Sequence, residues 1–368
     1  MRQCGSMWRL YSGVEAGFRL RIGLTVASPV RPVGDQIAER HLDMVSRRQV
    51  LGLGAVAAAL IAAGGGAGIA YSGDMGRARA LTAPELSVVI PSRFGDLEYA
   101  EAGVGTPLLM VHGTGGGFDQ GLFFARRFSQ AGYRVIAPSR FGYLRSAFPQ
   151  DPSSENQADA FIDLLDKLSI DKIAIAGGSA GALSAMAFAI RHPDRCAALL
   201  PLVPATYVPR QTPVQSVPAD QMQMAMAVLQ SDFLFWLAIR TMPDFLTEAL
   251  LATKPALVRA ADAAEQERAR HILFFILPVS RRTRGLINDA RLAGNPAPMP
   301  LETITAPTLA VSYEDDGFGT AAAARYIGAQ VPGAKVHVFP DGGHIGIGHD
   351  AETFAVIDRF LKDIRQRQ

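Results

Sequence analysis

One serine, one histidine and a pair of acids stand where they would do chemistry. Ser179 is the centre of Gly177-Gly178-Ser179-Ala180-Gly181, between an apolar run of strand type and a run of small residues of helix type. That pattern reads as strand, sharp turn and helix, with a hydroxyl at the apex. Gly177 and Gly181 leave room for a side chain thrown outward on a strained turn. The backbone N–H of Ala180, at the helix start, points where an oxyanion would form. His344 closes Pro340-Asp341-Gly342-Gly343-His344 after another strand-like run. Asp315 and Asp316 follow a third. A serine hydroxyl is a poor nucleophile at its own pKa, and a nearby imidazole that an acid orients would activate it.

The elements that must position these groups alternate. Strands are expected at 88–90, 97–101, 107–111, 134–138, 173–176, 197–203, 307–312 and 335–339. The first two would make an antiparallel edge hairpin. Helices are expected at 118–130, 155–168, 182–190, 320–331 and 351–364, with Asp350 as the N-cap of the last. This alternation predicts a mostly parallel sheet with helices on both faces. Ligands then bind at the carboxyl ends of the strands. Ser179 and the glycine-rich loop His112-Gly113-Thr114-Gly115-Gly116-Gly117 both lie there. Between 205 and 300 the strands stop, and helices are expected at 220–240, 244–251, 255–277 and 281–290. That stretch reads as an inserted cap, with the body at 81–204 and 301–368. Its aromatic side chains would hold the cap to the body and, together, make an apolar entrance. Phe233, Trp236 and Phe274 are the expected wall for substrate.

Serine, acid and histidine in this order, each just past a strand, resemble the α/β-hydrolase superfamily over residues 86–364. The resemblance implies Ser179 as nucleophile, His344 as base and Asp316 as the acid that orients it. It also implies the Thr114 N–H, in the His112-Gly113 loop, as an oxyanion donor beside Ala180. Tyr313 stands where relatives often have glycine, so Asp315 stays open as the acid. The turn Ser139-Arg140-Phe141-Gly142 lacks the aspartate that many relatives carry. Serine at the elbow argues against dehalogenase and epoxide-hydrolase chemistry. The resemblance implies no metal or organic cofactor. It implies a hydrolase of a carboxylic ester, or a related acyl bond, of a mainly apolar small molecule. Acyl transfer or a cofactor-free haloperoxidase-like reaction would use the same groups, and a non-catalytic binding protein on this scaffold is the third reading. Among the other histidines, His112 is expected to order its loop by hydrogen bonds. His192 reads as a helix-end residue, His271 as structural and His349 as a surface residue.

The chain has 368 residues, a formal net charge of +2 and two cysteines. The charge and the lack of a basic stripe argue against a nucleic-acid partner. Two cysteines make neither a disulfide framework nor a metal-ligand spacing. Residues 1–80 read as an extension. Met44-Val45-Ser46-Arg47-Arg48-Gln49-Val50-Leu51 resembles the twin-arginine export motif, with Val50 where phenylalanine is usual. Met44 could also be the true start. The uncharged residues 50–70 follow, long enough to attach to or span a bilayer but rich in glycine. Ala78-Arg79-Ala80 fits a small-x-small cleavage site, with cleavage after Ala80. Export to the periplasm or cell envelope, or a retained anchor, is the expectation.

Overall fold

The computed structural model describes residues 66–209 and 227–366. The twin-arginine-like residues, most of the uncharged run and part of the cap fall outside them. Eight strands form one sheet in the order β1-β2-β4-β3-β5-β6-β7-β8. They are β1 (Val88–Ser92), β2 (Gly95–Ala102), β3 (Thr106–Val111), β4 (Tyr133–Pro138), β5 (Ile173–Gly178), β6 (Cys196–Leu202), β7 (Leu309–Tyr313) and β8 (Lys335–Phe339). β2 runs antiparallel to both β1 and β4, and the other pairs are parallel. The expected edge hairpin is therefore present, with Ile90 opposite Leu97.

The central strands are continuous apolar runs because both of their faces are covered. One face carries α4 (Ser154–Lys167), α5 (Gly181–Arg191) and α11 (Thr320–Gln330). There Phe161, Met186 and Phe188 pack on Leu109, Val111 and Ile175. The other carries α2 (Phe118–Phe124), α3 (Arg126–Gln130) and α12 (Asp350–Arg365). There Phe118, Leu122 and Phe360 pack on Leu108, Val135 and Val311. α5 turns Gly181, Ala182 and Ala185 toward β5, where a Cβ on Gly177 would already collide with them, so the two elements lie close on either side of Ser179.

Between β6 and β7 the chain folds into α6 (Asp232–Thr241), α7 (Pro243–Leu251), α8 (Pro255–Ala260), α9 (Ala263–Phe274) and α10 (Thr283–Gly294). Two of the expected cap helices are interrupted among the described residues, and local capping explains both; residues 220–226 of the first lie outside them. Ser231 accepts the Leu234 N–H at 3.3 Å and starts α6 at Asp232. Asp262 accepts the Glu265 N–H at 2.9 Å and divides the expected 255–277 helix into α8 and α9. A side chain that satisfies an orphan N–H starts a new helix there. The expected 118–130 helix is likewise split, at Ala125. Asp350 is the first residue of α12 and not its side-chain cap. Its carboxylate instead takes Arg126 at 2.5 Å and Arg127 at 2.6 Å.

Residues 66–80 do not stand apart from the body. They begin α1 (Gly66–Leu81), which packs on the cap. Met75 and Ala78 are buried in one cluster with Phe235, Trp236 and Leu237. Asp74, 1% exposed, accepts the Trp236 indole N–H at 2.7 Å and Arg240 Nε at 2.8 Å. The residues read as a cleavage site, Ala78 to Ala80, are helical. No helix among the described residues is long and apolar enough to cross a membrane.

Candidate active site

Ser179 sits on the turn from β5 to α5 with φ of 51°, a left-handed conformation that a side chain seldom adopts. Two neighbouring bonds pin this strained backbone. Ser179 N–H donates to Leu202 O at 2.9 Å, and Ser179 O accepts Ala205 N–H at 3.1 Å. A Cβ on Gly181 would meet His112 O at 2.4 Å, and one on Gly113 would meet the Ser179 Cβ at 3.2 Å. Glycine at both positions therefore lets the elbow and the loop 112–117 lie against one another. Strain held by its surroundings is a mark of functional sites. The N–H groups of Thr114 and Ala180 have no partner among the described residues.

The histidine and its acid are joined directly. His344 Nδ1 lies 2.8 Å from Asp316 Oδ2. The other carboxylate oxygen accepts the Phe318 N–H at 2.8 Å, and Thr320 donates its hydroxyl to Oδ2. Burial alone would push the Asp316 carboxyl up. The His344 ring, with Thr320 and the Phe318 N–H, outweighs it and holds the group below the usual carboxylate range. Asp315 is engaged elsewhere. Its Oδ1 accepts the Gly343 N–H at 2.8 Å and shapes the turn before His344. Of the two acids left open by the sequence, Asp316 is the one in contact with the imidazole. The Phe318 ring meets that of His344 edge to face, with centroids 4.9 Å apart.

Ser179 and His344 lie where two cavities adjoin. The smaller, about 310 Å³, runs between Met110, Phe128, Leu202, Val311 and Phe354. The larger, about 710 Å³, runs between Leu229, Ile276, Leu286, Ile287 and Ala293. Thr114, Gln120 and Phe318 line both. Phe233, Trp236 and Phe274, the expected wall, line neither. Phe233 and Trp236 pack edge to face on Tyr71 of α1, at centroid distances of 5.4 and 5.3 Å, and Phe274 borders the same cluster. The aromatic stripe faces away from the catalytic rim because α1 covers it. What the cap contributes to the cavity walls is mostly aliphatic, from α7, α9 and α10.

His112 orders its loop, as its place in the sequence suggests. Nδ1 donates to Gly113 O at 2.7 Å, and Nε2 accepts the Arg140 N–H at 2.9 Å. Burial first, then the Arg140 charge, depresses its pKa far below the usual value, so the ring is neutral. His349 is more than a surface residue. It bridges Asp341 at 2.7 Å and Glu352 at 2.8 Å and lies over Tyr313 and Phe339. Burial pushes the Cys196 thiol up to about 12, which leaves it unreactive.

Sequence reasoning passed over a group of polar side chains beside the site. Gln120 Oε1 accepts the Gly113 N–H at 3.1 Å. Arg268 of α9 donates to Ile345 O at 2.9 Å and Gly346 O at 3.0 Å, so the cap grips the histidine loop. Arg282, fully buried, binds Asp119 at 2.7 Å and donates to Gly116 O. Thr320, four residues after Asp316, was legible as a local partner. Arg268 and Arg282 are far in sequence from what they hold, and no pattern marks them.

A family model described as alpha/beta hydrolase fold matches residues 106–350. Over 281 residues the chain is 28% identical to the 2-hydroxy-6-oxononadienedioate/2-hydroxy-6-oxononatrienedioate hydrolase 2 of Pseudomonas putida, covering 73% of this chain and 91% of that protein. A shorter match, 36% identical over 101 residues, is to the uncharacterized hydrolase YcgS of Bacillus subtilis (strain 168); it spans 27% of this chain and only 35% of that one. Among solved structures, an alpha/beta hydrolase fold protein from Nakamurella multipartita superposes with a TM-score of 0.58 at 24% identity, covering 75% of this chain and 98% of the other.

Proposed function

The chain belongs to the alpha/beta hydrolase fold family, and on that premise we propose that it is a serine hydrolase of mainly apolar carboxylic esters. The observation that carries this reading is the join of the two cavities. A strained serine and an imidazole coupled to a carboxylate at 2.8 Å stand there together. A scissile carbonyl at that join leaves one apolar arm of the substrate in each cavity.

The proposed chemistry follows from the groups. Ser179 Oγ attacks the carbonyl carbon while His344 Nε2 takes its proton. Asp316 keeps the ring proton on Nδ1 and stabilises the imidazolium. The Thr114 and Ala180 N–H groups receive the oxyanion. The C–O bond breaks as His344 returns the proton to the departing alcohol. Water then attacks the acyl-enzyme by the same route, releasing the acid and restoring Ser179.

A fluorophosphonate and a panel of p-nitrophenyl esters test this reading. The wild-type protein is expected to be labelled covalently and to turn over the esters. Ser179→Ala is expected to do neither while melting at the wild-type temperature. Turnover by folded Ser179→Ala would refute the serine mechanism.

One observation favours a second substrate. Arg127 lines the smaller cavity, and among the described residues only its Nε is engaged, by Asp350. A guanidinium there suits a substrate carboxylate, as in the dioate named for the Pseudomonas putida relative. Faster hydrolysis of a p-nitrophenyl glutarate monoester than of the valerate ester, lost in Arg127→Met, would decide for it.

A further inference from the structure

The loop 112–117 must present the Thr114 N–H, yet it has too few side chains to hold a shape by packing. Two peptide planes decide where that N–H points. The first joins Gly113 to Thr114. Arg140 Nη2 donates to Gly113 O at 3.1 Å, and its Nε donates to His112 O at 3.0 Å. In a planar trans peptide the C=O and the following N–H point in opposite directions. A Gly113 carbonyl held toward Arg140 therefore turns the Thr114 N–H away from it, toward the cavity that Thr114 lines. The second plane joins Thr114 to Gly115. Its N–H donates to the Tyr143 hydroxyl at 3.2 Å.

His112 Nδ1 and the Gly116 N–H share the Gly113 carbonyl, at 2.7 and 3.3 Å, but the Arg140 and Tyr143 constraints both end on one carboxylate. Arg140 binds Asp289 with two parallel bonds, at 2.7 and 2.6 Å, and the Tyr143 hydroxyl donates to Asp289 at 2.5 Å. Asp289 is 2% exposed. It lies on α10 of the cap, 149 residues from Arg140, and on the wall of the larger cavity. We infer that Asp289 is a positioning residue for the oxyanion site, acting through Arg140 and Tyr143 on the two peptide planes that flank Thr114. The inference rests on the serine-hydrolase reading above. It makes the cap part of the catalytic apparatus: the helix that lines the larger cavity also sets the donor that the transition state needs.

Asp289→Asn keeps the shape and removes the charge that holds both partners. Tyr143→Phe keeps the ring and the Arg140–Asp289 pair but removes the hydroxyl between Gly115 and Asp289. Both are made in the full chain and assayed with p-nitrophenyl butyrate, and the inhibition constant of an alkylboronic acid is measured alongside. The adduct of that acid with a serine places an oxygen in the oxyanion site. Loss of one oxyanion donor costs about 10²- to 10³-fold in kcat, and a misdirected donor should cost somewhat less. Asp289→Asn is expected to lower kcat about 30- to 300-fold, and Tyr143→Phe about 10-fold, with KM within about threefold of wild type. The boronate inhibition constant should rise in step with the loss of kcat. A residue that only held the fold would lower the melting temperature without moving that constant.

Wild-type kcat in folded variants, or an unchanged boronate constant beside a lowered kcat, would overturn the inference. If Asp289→Asn fails to fold, Tyr143→Phe decides alone by the same criteria. A wild-type protein that no fluorophosphonate labels would instead refute the serine reading, which separates the two failures.

Discussion

Replacing Asp316 by asparagine should disable the imidazole by changing where its proton sits. The carboxylate now accepts from three donors: the Phe318 N–H, the Thr320 hydroxyl and His344 Nδ1. An asparagine has one accepting oxygen and one donating NH₂. If the oxygen stays with the Phe318 N–H, the NH₂ faces His344 Nδ1, and that nitrogen must offer a lone pair. The ring proton then moves to Nε2, where it blocks proton transfer from Ser179. If the amide flips, the NH₂ confronts the fixed Phe318 N–H and leaves that part-buried donor without its acceptor, at about 1 kcal/mol or more. The first arrangement is cheaper, so the wrong tautomer should dominate. By analogy with other triads kcat should fall about 10⁴-fold. Asp315→Asn is the control, because an asparagine oxygen can still accept the Gly343 N–H. Its kcat should stay within about tenfold of wild type, since one neutral hydrogen bond replaces a charge-assisted one. Steady-state hydrolysis of p-nitrophenyl butyrate, with melting temperatures for both variants, measures the contrast. A loss below about 100-fold in Asp316→Asn, or a larger loss in Asp315→Asn, would refute the assignment.

Chain-length dependence should map to the smaller or the larger cavity, not to the aromatic stripe. Each buried methylene is worth about 0.8 kcal/mol, so kcat/KM should rise roughly three- to fourfold per carbon from acetate until a cavity fills. Met110→Phe should move the optimum to shorter acyl chains, and Trp236→Ala should leave it in place. Trp236→Ala should instead cost about 3 kcal/mol of stability, read as a lowered melting temperature. Glu265 supplies a pH dependence. Burial pushes its carboxyl up, but Arg268 and the Gly348 N–H outweigh this and hold it below its usual value. A depressed folded-state pKa stabilises above the unfolded value, about 4.3, and that contribution is lost as the pH falls through the folded one. The difference in melting temperature between wild type and Glu265→Gln should therefore be full at neutral pH and shrink on acidification.

The body of the fold was legible because its signals are local. β5, the elbow and α5 follow one another within twenty residues, and a change from apolar run to glycine to small residues announces each boundary. The order of the chemical groups was legible for the same reason, since each sits just past a strand. Asp316 was preferred to Asp315 on the family resemblance alone, because which carboxylate faces His344 depends on the turn between β7 and α11. The cap aromatics were misplaced because an amphipathic helix shows that a face is buried, not what buries it. Phe233 and Trp236 are covered by α1, a segment read as removable. The Arg140–Asp289 pair was out of reach, because nothing local links residues 149 apart.

The Asp74 contact with Trp236 makes α1 the cover of the first cap helix. Its two ends are separated by 162 residues, a long loop whose closure the packing of α1 must offset. Without α1 the indole and the apolar side of α6 lose that cover. A protease that cut after Ala80 would leave that surface open for good, trading a buried carboxylate for an exposed hydrophobic patch that invites self-association. Cleavage after Ala80 and retention of this packing would thus be alternatives.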